Sequence, residues 1–144
     1  MTVKRLIFMF MMCLPLLVWA DNQQPITEAQ LPAIARKFIQ SHFPKANVMV
    51  ATQETEMFGK TYEVLLDTGV KMEFDSKGNW KELQTKQGAL PTTVVPLEVQ
   101  RYIKQYFPRQ NVQCLERDRT NIDVKLDNGV EITFDKNYRV VEID

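Results

Sequence analysis

Apolar and polar positions change period twice along the chain, and then do so again in the same order. Leu31, Ile34, Ala35, Phe38, Ile39 and His42 fall at the spacing of one helical face, with Arg36, Lys37 and Gln40 off that stripe. Pro32 suits the first helical position and Pro44 forbids continuation. Thr27-Glu28-Ala29-Gln30 has the form of a capping box, which predicts a short helical turn before the break at Pro32. The period then shortens to two. Tyr62, Val64 and Leu66 alternate with Glu63 and Leu65, while Val70, Met72 and Phe74 alternate with Lys71 and Glu73. A three-residue loop at Asp67-Thr68-Gly69 sets Leu66 against Val70, Val64 against Met72 and Tyr62 against Phe74, with both apolar rows on one sheet face. A two-residue loop would put the rows on opposite faces, so the pattern selects the longer one.

The same order recurs. Leu31-Pro32 to Asn47-Val48 aligns, 64 residues later, with Val95-Pro96 to Asn111-Val112. At a spacing of 60, Val64, Leu66-Asp67, Gly69-Val70, Phe74-Asp75 and Glu82 align with Val124, Leu126-Asp127, Gly129-Val130, Phe134-Asp135 and Glu142. Val95, Val99, Tyr102, Ile103 and Tyr106 form the second helical stripe, and Ile122, Val124 and Leu126 oppose Val130, Ile132 and Phe134 across Asp127-Asn128-Gly129. Further strands are expected at 48–51 and 112–115 before the hairpins and at 80–83 and 139–143 after them. The pattern predicts an α+β chain of two tandem repeats, each a helix followed by about four antiparallel strands, with both stripes buried where the helix lies on the sheet.

The stretch before the first repeat has a different grammar. Lys4 and Arg5 precede an apolar run from Leu6 to Val18, and Val18-Trp19-Ala20 offers permitted cleavage residues before the polar Asp21-Asn22-Gln23-Gln24. This predicts a signal peptide over 1–20, repeat one over 21–87, repeat two over 88–144, and a periplasmic or secreted mature chain without a transmembrane segment. A lipoprotein anchor through Cys13 is disfavoured, because Met12 stands where a small residue is needed. Removing the first twenty residues changes the balanced 18 basic and 18 acidic residues of the 144-residue chain to a slight acidic excess, which argues against nucleic acid as a partner. Only Cys114 then remains, so no intramolecular disulfide is expected.

A Leu-Pro or Val-Pro helix ending in Phe-Pro, followed by a hairpin with Asp-x-Gly-Val and Phe-Asp, and Gly78-Asn79-Trp80 after the first hairpin, resembles the PepSY-like, β-lactamase-inhibitor-like family of bacterial periplasmic proteins. The resemblance runs from Leu31 to Asp144. It implies that the strands make one curved sheet with the helices on one face and an open face on the other. In distantly similar β-lactamase inhibitors the open face grips the enzyme. This chain is shorter than those inhibitors and lacks their disulfides, so inhibition of a β-lactamase does not carry over.

Candidate chemistry thins out on inspection. Asp67-Thr68-Gly69 spells the aspartic-protease triplet, but Asp127-Asn128-Gly129 stands at the equivalent place and both triplets sit where a hairpin needs turn residues. His42 is the single histidine, which excludes histidine triads and multi-histidine metal sites, and its counterpart is Tyr106. Cys114 aligns with Val50 on an expected inward row. Asp67, Asp75, Asp127 and Asp135 do not form a calcium loop, and no phosphate loop or dinucleotide fingerprint occurs. No catalytic residue, cofactor or metal site is therefore expected.

The remaining candidate is surface. Alternation turns Leu65, Lys71, Glu73, Lys81 and Leu83 outward in copy one, with Lys125, Glu131, Thr133, Arg139 and Val141 as counterparts. The connection from Gln53 to Lys60 is four residues longer than its counterpart and carries Met57 and Phe58. The expected function is a non-catalytic exported module that binds an envelope or extracellular protein through Met57, Phe58, Leu65, Lys71, Glu73, Leu83, Lys125 and Glu131. The alternative is a periplasmic sensor of a small ligand or metal, using a pocket between the helices and the sheet.

Overall fold

The computed structural model describes residues 22–144, so the expected signal peptide and Cys13 lie outside the described residues. Among the described residues the fold is α+β, with two α-helices and nine strands in antiparallel sheet. The described residues divide into two units, the first comprising residues 22–83 and the second Gln84–Asp144.

In the first unit, Gln30 Oε1 accepts from Thr27 N at 2.8 Å and from Thr27 Oγ1 at 3.2 Å, closing the short 3-10 turn Glu28–Gln30. After Pro32 comes α1 (Ala33–His42), which ends as Phe43 N donates to Ile39 O at 2.8 Å, just before Pro44. Its buried residues are Ala35 and Ile39, and Phe38 reaches over Phe74 with ring centroids 5.9 Å apart, edge to face. The helix therefore lies on the inward row of the sheet, as its stripe requires.

The strands of this unit are β1 (Gln23–Ile26), β2 (Val48–Glu56), β3 (Gly59–Leu66), β4 (Lys71–Phe74) and β5 (Trp80–Gln84), each antiparallel to the next from β1 to β4. Leu66 N donates to Val70 O at 2.9 Å and Gly69 N to Leu66 O at 3.0 Å, which is the three-residue loop. Val64 then pairs with Met72 and Tyr62 with Phe74, as the alternation predicts. Val64, Leu66, Met72 and Phe74 are 1% exposed or less and form the centre of this unit's core.

β1 has no counterpart in the sequence reading. Gln23-Gln24-Pro25-Ile26 is polar and contains a proline, which argues against a central strand but is tolerated in one paired on a single side. β2 also runs five residues past the expected Ala51, because it pairs with β3 out to Glu56 opposite Gly59.

In the second unit, a 3-10 turn (Thr92–Val94) precedes α2 (Leu97–Tyr106), which buries Val99 and Ile103 and sets Tyr102 edge-on to Phe134 at 5.4 Å. Its strands are β6 (Val112–Arg117), β7 (Asn121–Leu126), β8 (Glu131–Asp135) and β9 (Val140–Ile143), each antiparallel to the next. Val124 pairs with Ile132 and Ile122 with Phe134. Val124, Leu126, Ile132 and Phe134 are again almost without exposure.

Both units turn after an Asp by the same side-chain device. Asp75 Oδ1 accepts from the amides of Lys77 and Asn79 at 2.9 Å, and Asp135 Oδ1 from those of Asn137 at 2.8 Å and Arg139 at 3.0 Å. The fourth residue of each turn needs a left-handed backbone. Gly78 supplies it in the first with φ of 95°, whereas Tyr138 adopts 62° in the second. A β-carbon is strained there by about 1–2 kcal/mol, and Tyr138 keeps 37% of its surface exposed. Tyr138→Gly is expected to raise the unfolding free energy by about 0.5–1 kcal/mol, read as a higher urea midpoint at unchanged slope.

Candidate functional site

The outward face of the first hairpin is built by cross-strand pairing. Leu65 stands opposite Lys71 and Glu63 opposite Glu73, so the four side chains share the face away from α1. Two carboxylates directly opposed would repel. Lys71 Nζ lies 3.6 Å from Glu63 Oε1 and Lys81 Nζ 3.6 Å from Glu73 Oε1, which breaks the like-charge contact into an alternating row. Burial raises the Glu73 pKa above its ordinary value, Lys81 opposes that shift and Glu63 adds to it. The pairs are partly exposed and contribute little to stability. Their effect is to fix the charge pattern of the face.

Beyond the pair of Gln53 with Tyr62 the hairpin of β2 and β3 extends by three further pairs, Glu54 with Thr61, Thr55 with Lys60 and Glu56 with Gly59. Met57 and Phe58 form its tip. They are 91% and 96% exposed, the largest values among the exposed apolar side chains. The corresponding hairpin of the second unit closes earlier, at Arg117 opposite Ile122, and its turn is polar: Asp118 Oδ1 accepts from Thr120 N and Asn121 N, both at 2.8 Å.

Three of the residues expected to face outward, Leu83, Glu131 and Thr133, are buried. Leu83 has no exposure and its neighbour Glu82 is 6% exposed, so β5 is covered on both faces there rather than alternating. Glu131, opposite Lys125, is 9% exposed, and its pKa is raised chiefly by burial. Thr133 is likewise buried, at 7%, with its hydroxyl donating to Asp123 Oδ1 at 2.6 Å. Lys125 retains partial exposure.

Cys114 is buried as expected, at 2% exposure, but on a different row. A bulge between Val112 and Cys114 sets Val112 against Leu126 and Cys114 against Lys125. The bulge at Val48 and Val50 does the same, pairing Val50 with Leu65. One inserted residue moves each side chain to the face away from the helix, which alternation counted straight through the strand cannot anticipate.

The protease-like triplet is a turn clamp. Asp67 Oδ1 accepts from Asn47 N at 3.0 Å and Oδ2 from Asn47 Nδ2 at 3.0 Å, and Asn111 Nδ2 donates to Asp127 Oδ2 at 3.1 Å. The Asn47 hydrogen bonds hold the Asp67 carboxyl below the usual carboxylate range. A protease dyad instead needs two carboxylates sharing a proton. A lowered folded-state pKa stabilises above the unfolded pKa, and that stabilisation is lost as pH falls through the folded value. Asp67→Asn should therefore cost stability at about pH 7 and less at about pH 3, measured by urea midpoints of both proteins at each pH. His42 packs on Phe38, with ring centroids 4.6 Å apart. Among the described residues, no group of three or more His, Cys, Asp and Glu side chains could hold a metal ion.

The family model described as "putative beta-lactamase-inhibitor-like, PepSY-like" matches residues 60–142. The chain belongs to this PepSY-like family. A solved protein of Bacteroides vulgatus ATCC 8482, described as a putative periplasmic protein of the DUF2874 family, is 42% identical over 88% of this chain and 99% of its own, with a TM-score of 0.83. A Bacteroides thetaiotaomicron protein, described as a putative calcium-regulated periplasmic protein, is 37% identical over 88% and 99% of the two chains, with a TM-score of 0.84. Another from Bacteroides vulgatus, described as of unknown function, is 29% identical over 85% and 98%, with a TM-score of 0.80. No curated protein matches the chain. These neighbours are described as periplasmic, and no helix among the described residues of this chain is long and apolar enough to cross a membrane.

Proposed function

We propose that this PepSY-like protein is an exported, non-catalytic module that binds another envelope or extracellular protein through the first unit, with Met57 and Phe58 as anchors. On this reading residues 1–20 are removed as a signal peptide and 21–87 and 88–144 are two copies of one repeat. The observation that carries it is the near-complete exposure of two large apolar side chains at the tip of a hairpin lengthened by three strand pairs. Water is a poor environment for both, and burial against a partner would contribute roughly 1.5–3 kcal/mol for each. A hairpin tip is also a cheap anchor, since the paired strands behind it already restrict the chain. Leu65 lies on β3, behind the tip, and Lys71 and Glu73 stand on the adjacent β4, a charged row with one apolar position, suited to a polar rim. Lys125, which lies in the second unit, and the buried Leu83 and Glu131 leave the proposed set.

The test is an immobilised-protein binding assay with a partner captured by crosslinking in the native envelope. Phe58→Ser with Leu65→Glu is expected to weaken binding by at least about 100-fold, as loss of anchor residues does, with the thermal midpoint moved by only a few degrees. Unchanged binding by the folded double variant would reject the reading. A second reading, a calcium or other metal sensor, is favoured by the description of the Bacteroides thetaiotaomicron relative. It requires a saturable rise in thermal midpoint with calcium in the absence of any protein partner.

A further inference from the structure

A groove of about 390 Å³ lies wholly within the second unit, between α2 and the segment that leads into it. Leu97 and Phe107 supply accessible apolar wall over a floor of the buried Leu90 and Val95, and Arg101 and Lys104 supply charge. Leu97, Arg101 and Lys104 are spaced i, i+4 and i+7, so they occupy one stripe of α2, apart from the stripe of Val99 and Ile103 that enters the core. No carboxylate lines the groove. Neither cation takes part in a side-chain hydrogen bond or ion pair among the described residues.

The walls are tied together in advance. Gln100 Nε2 donates to Thr92 O and to Val95 O, both at 2.7 Å, holding the 3-10 turn against the helix. Leu90 N donates to Val112 O at 2.9 Å, fixing the other end of the segment to β6. Leu97 is 54% exposed beside these fixed elements, an apolar side chain at the mouth of a groove rather than in a core.

At the spacing of 64 residues, Leu97, Arg101, Lys104 and Thr92 correspond to Ala33, Lys37, Gln40 and Glu28. The first half thus has a smaller apolar residue, one cation fewer and an added carboxylate at the matching positions. A requirement of helix packing would fall on the buried stripe in both halves; this difference falls on the exposed one.

The geometry points to a binding site for a small amphiphilic carboxylate of the fatty-acid class, its hydrocarbon against Leu90, Val95, Leu97 and Phe107 and its carboxylate between Arg101 and Lys104. The volume is in the range of small-molecule sites. A guanidinium and an ammonium one helical turn apart can both donate to one carboxylate, which distinguishes this class from neutral lipids and from cations. The site stands in the other unit from Met57 and Phe58, so its failure would leave the protein-binding reading untouched.

The experiment is calorimetric titration of the mature chain with decanoate, below the concentration at which decanoate aggregates, with decanol as the neutral analogue. Saturable binding of decanoate is expected, with decanol and the Arg101→Gln, Lys104→Gln double variant each weaker by about tenfold or more. Lys37→Gln should bind as the parent does. Amide NMR shifts on titration should centre on residues 90–107. Equal affinity for acid and alcohol, an unaffected double variant, shifts centred elsewhere, or no saturable binding would each overturn the assignment.

Discussion

Gly78→Ala is expected to lower the unfolding free energy by about 3 kcal/mol or more, a large part of the stability of a domain this size. Two effects combine. The φ of 95° is one that a residue with a β-carbon adopts only under strain. The added carbon would also stand 2.8 Å from Pro32 Cβ and 2.9 Å from the Ala35 amide nitrogen, with Ile34 Cβ at 3.2 Å. Backbone at the start of a helix cannot swing aside as the end of a long side chain can, so the turn after β4 and the first turn of α1 would have to separate. Gly69 offers a control within the same unit. Its φ is 93°, yet nothing lies within 4 Å of a β-carbon built there. Gly69→Ala should therefore cost only the conformational strain, about 1–2 kcal/mol. Equal losses for the two variants in urea unfolding would show that the close approach of turn and helix contributes nothing.

Phe74→Ala should cost about 3–5 kcal/mol. Phe74 has no exposure, pairs with Tyr62 across the hairpin and receives Phe38 of α1 edge-on. Truncation leaves a cavity where the helix meets the sheet and removes an aromatic contact worth about 0.5–1.5 kcal/mol beyond its area. Phe74→Leu, which keeps most of the volume, should cost well under half as much. Phe134→Ala should behave alike, since Phe134 is equally buried and meets Tyr102 in the same geometry. Denaturant unfolding of the three variants checks the ordering; a loss below about 1 kcal/mol for Phe74→Ala would contradict the placement of that residue.

These core positions were legible in the sequence because one face of the hairpin must be apolar, and only a three-residue loop brings Leu66 to Val70. The helix limits were legible from Pro32, Pro44, Pro96 and Pro108, whose rings forbid continuation. Three features were not. β1 carries its information in backbone pairing to β2, and Gln23 to Ile26 show no alternation to report it. The bulges at Val50 and Cys114 turn two side chains over by inserting one residue, which period-two counting passes without a mark. Leu83 was placed outward by alternation, but a strand covered on both faces has none. For the candidate site, the long connection with Met57 and Phe58 was visible as a length difference between the halves. The groove beside α2 was not, because Leu97, Arg101 and Lys104 gain meaning only when the segment from Ala89 to Val95 is laid against them.

On the proposed function the lengthened hairpin, and not its short polar counterpart, meets the partner. Photo-crosslinking residues placed singly at Phe58 and at Arg119, which lies in the turn after β6, compare the two tips in the same protein and the same envelope. A discrete crosslinked species is expected from position 58, absent from position 119 and reduced by Leu65→Glu. Crosslinking to the same species with equal yield at both positions, or at 119 alone, would contradict it.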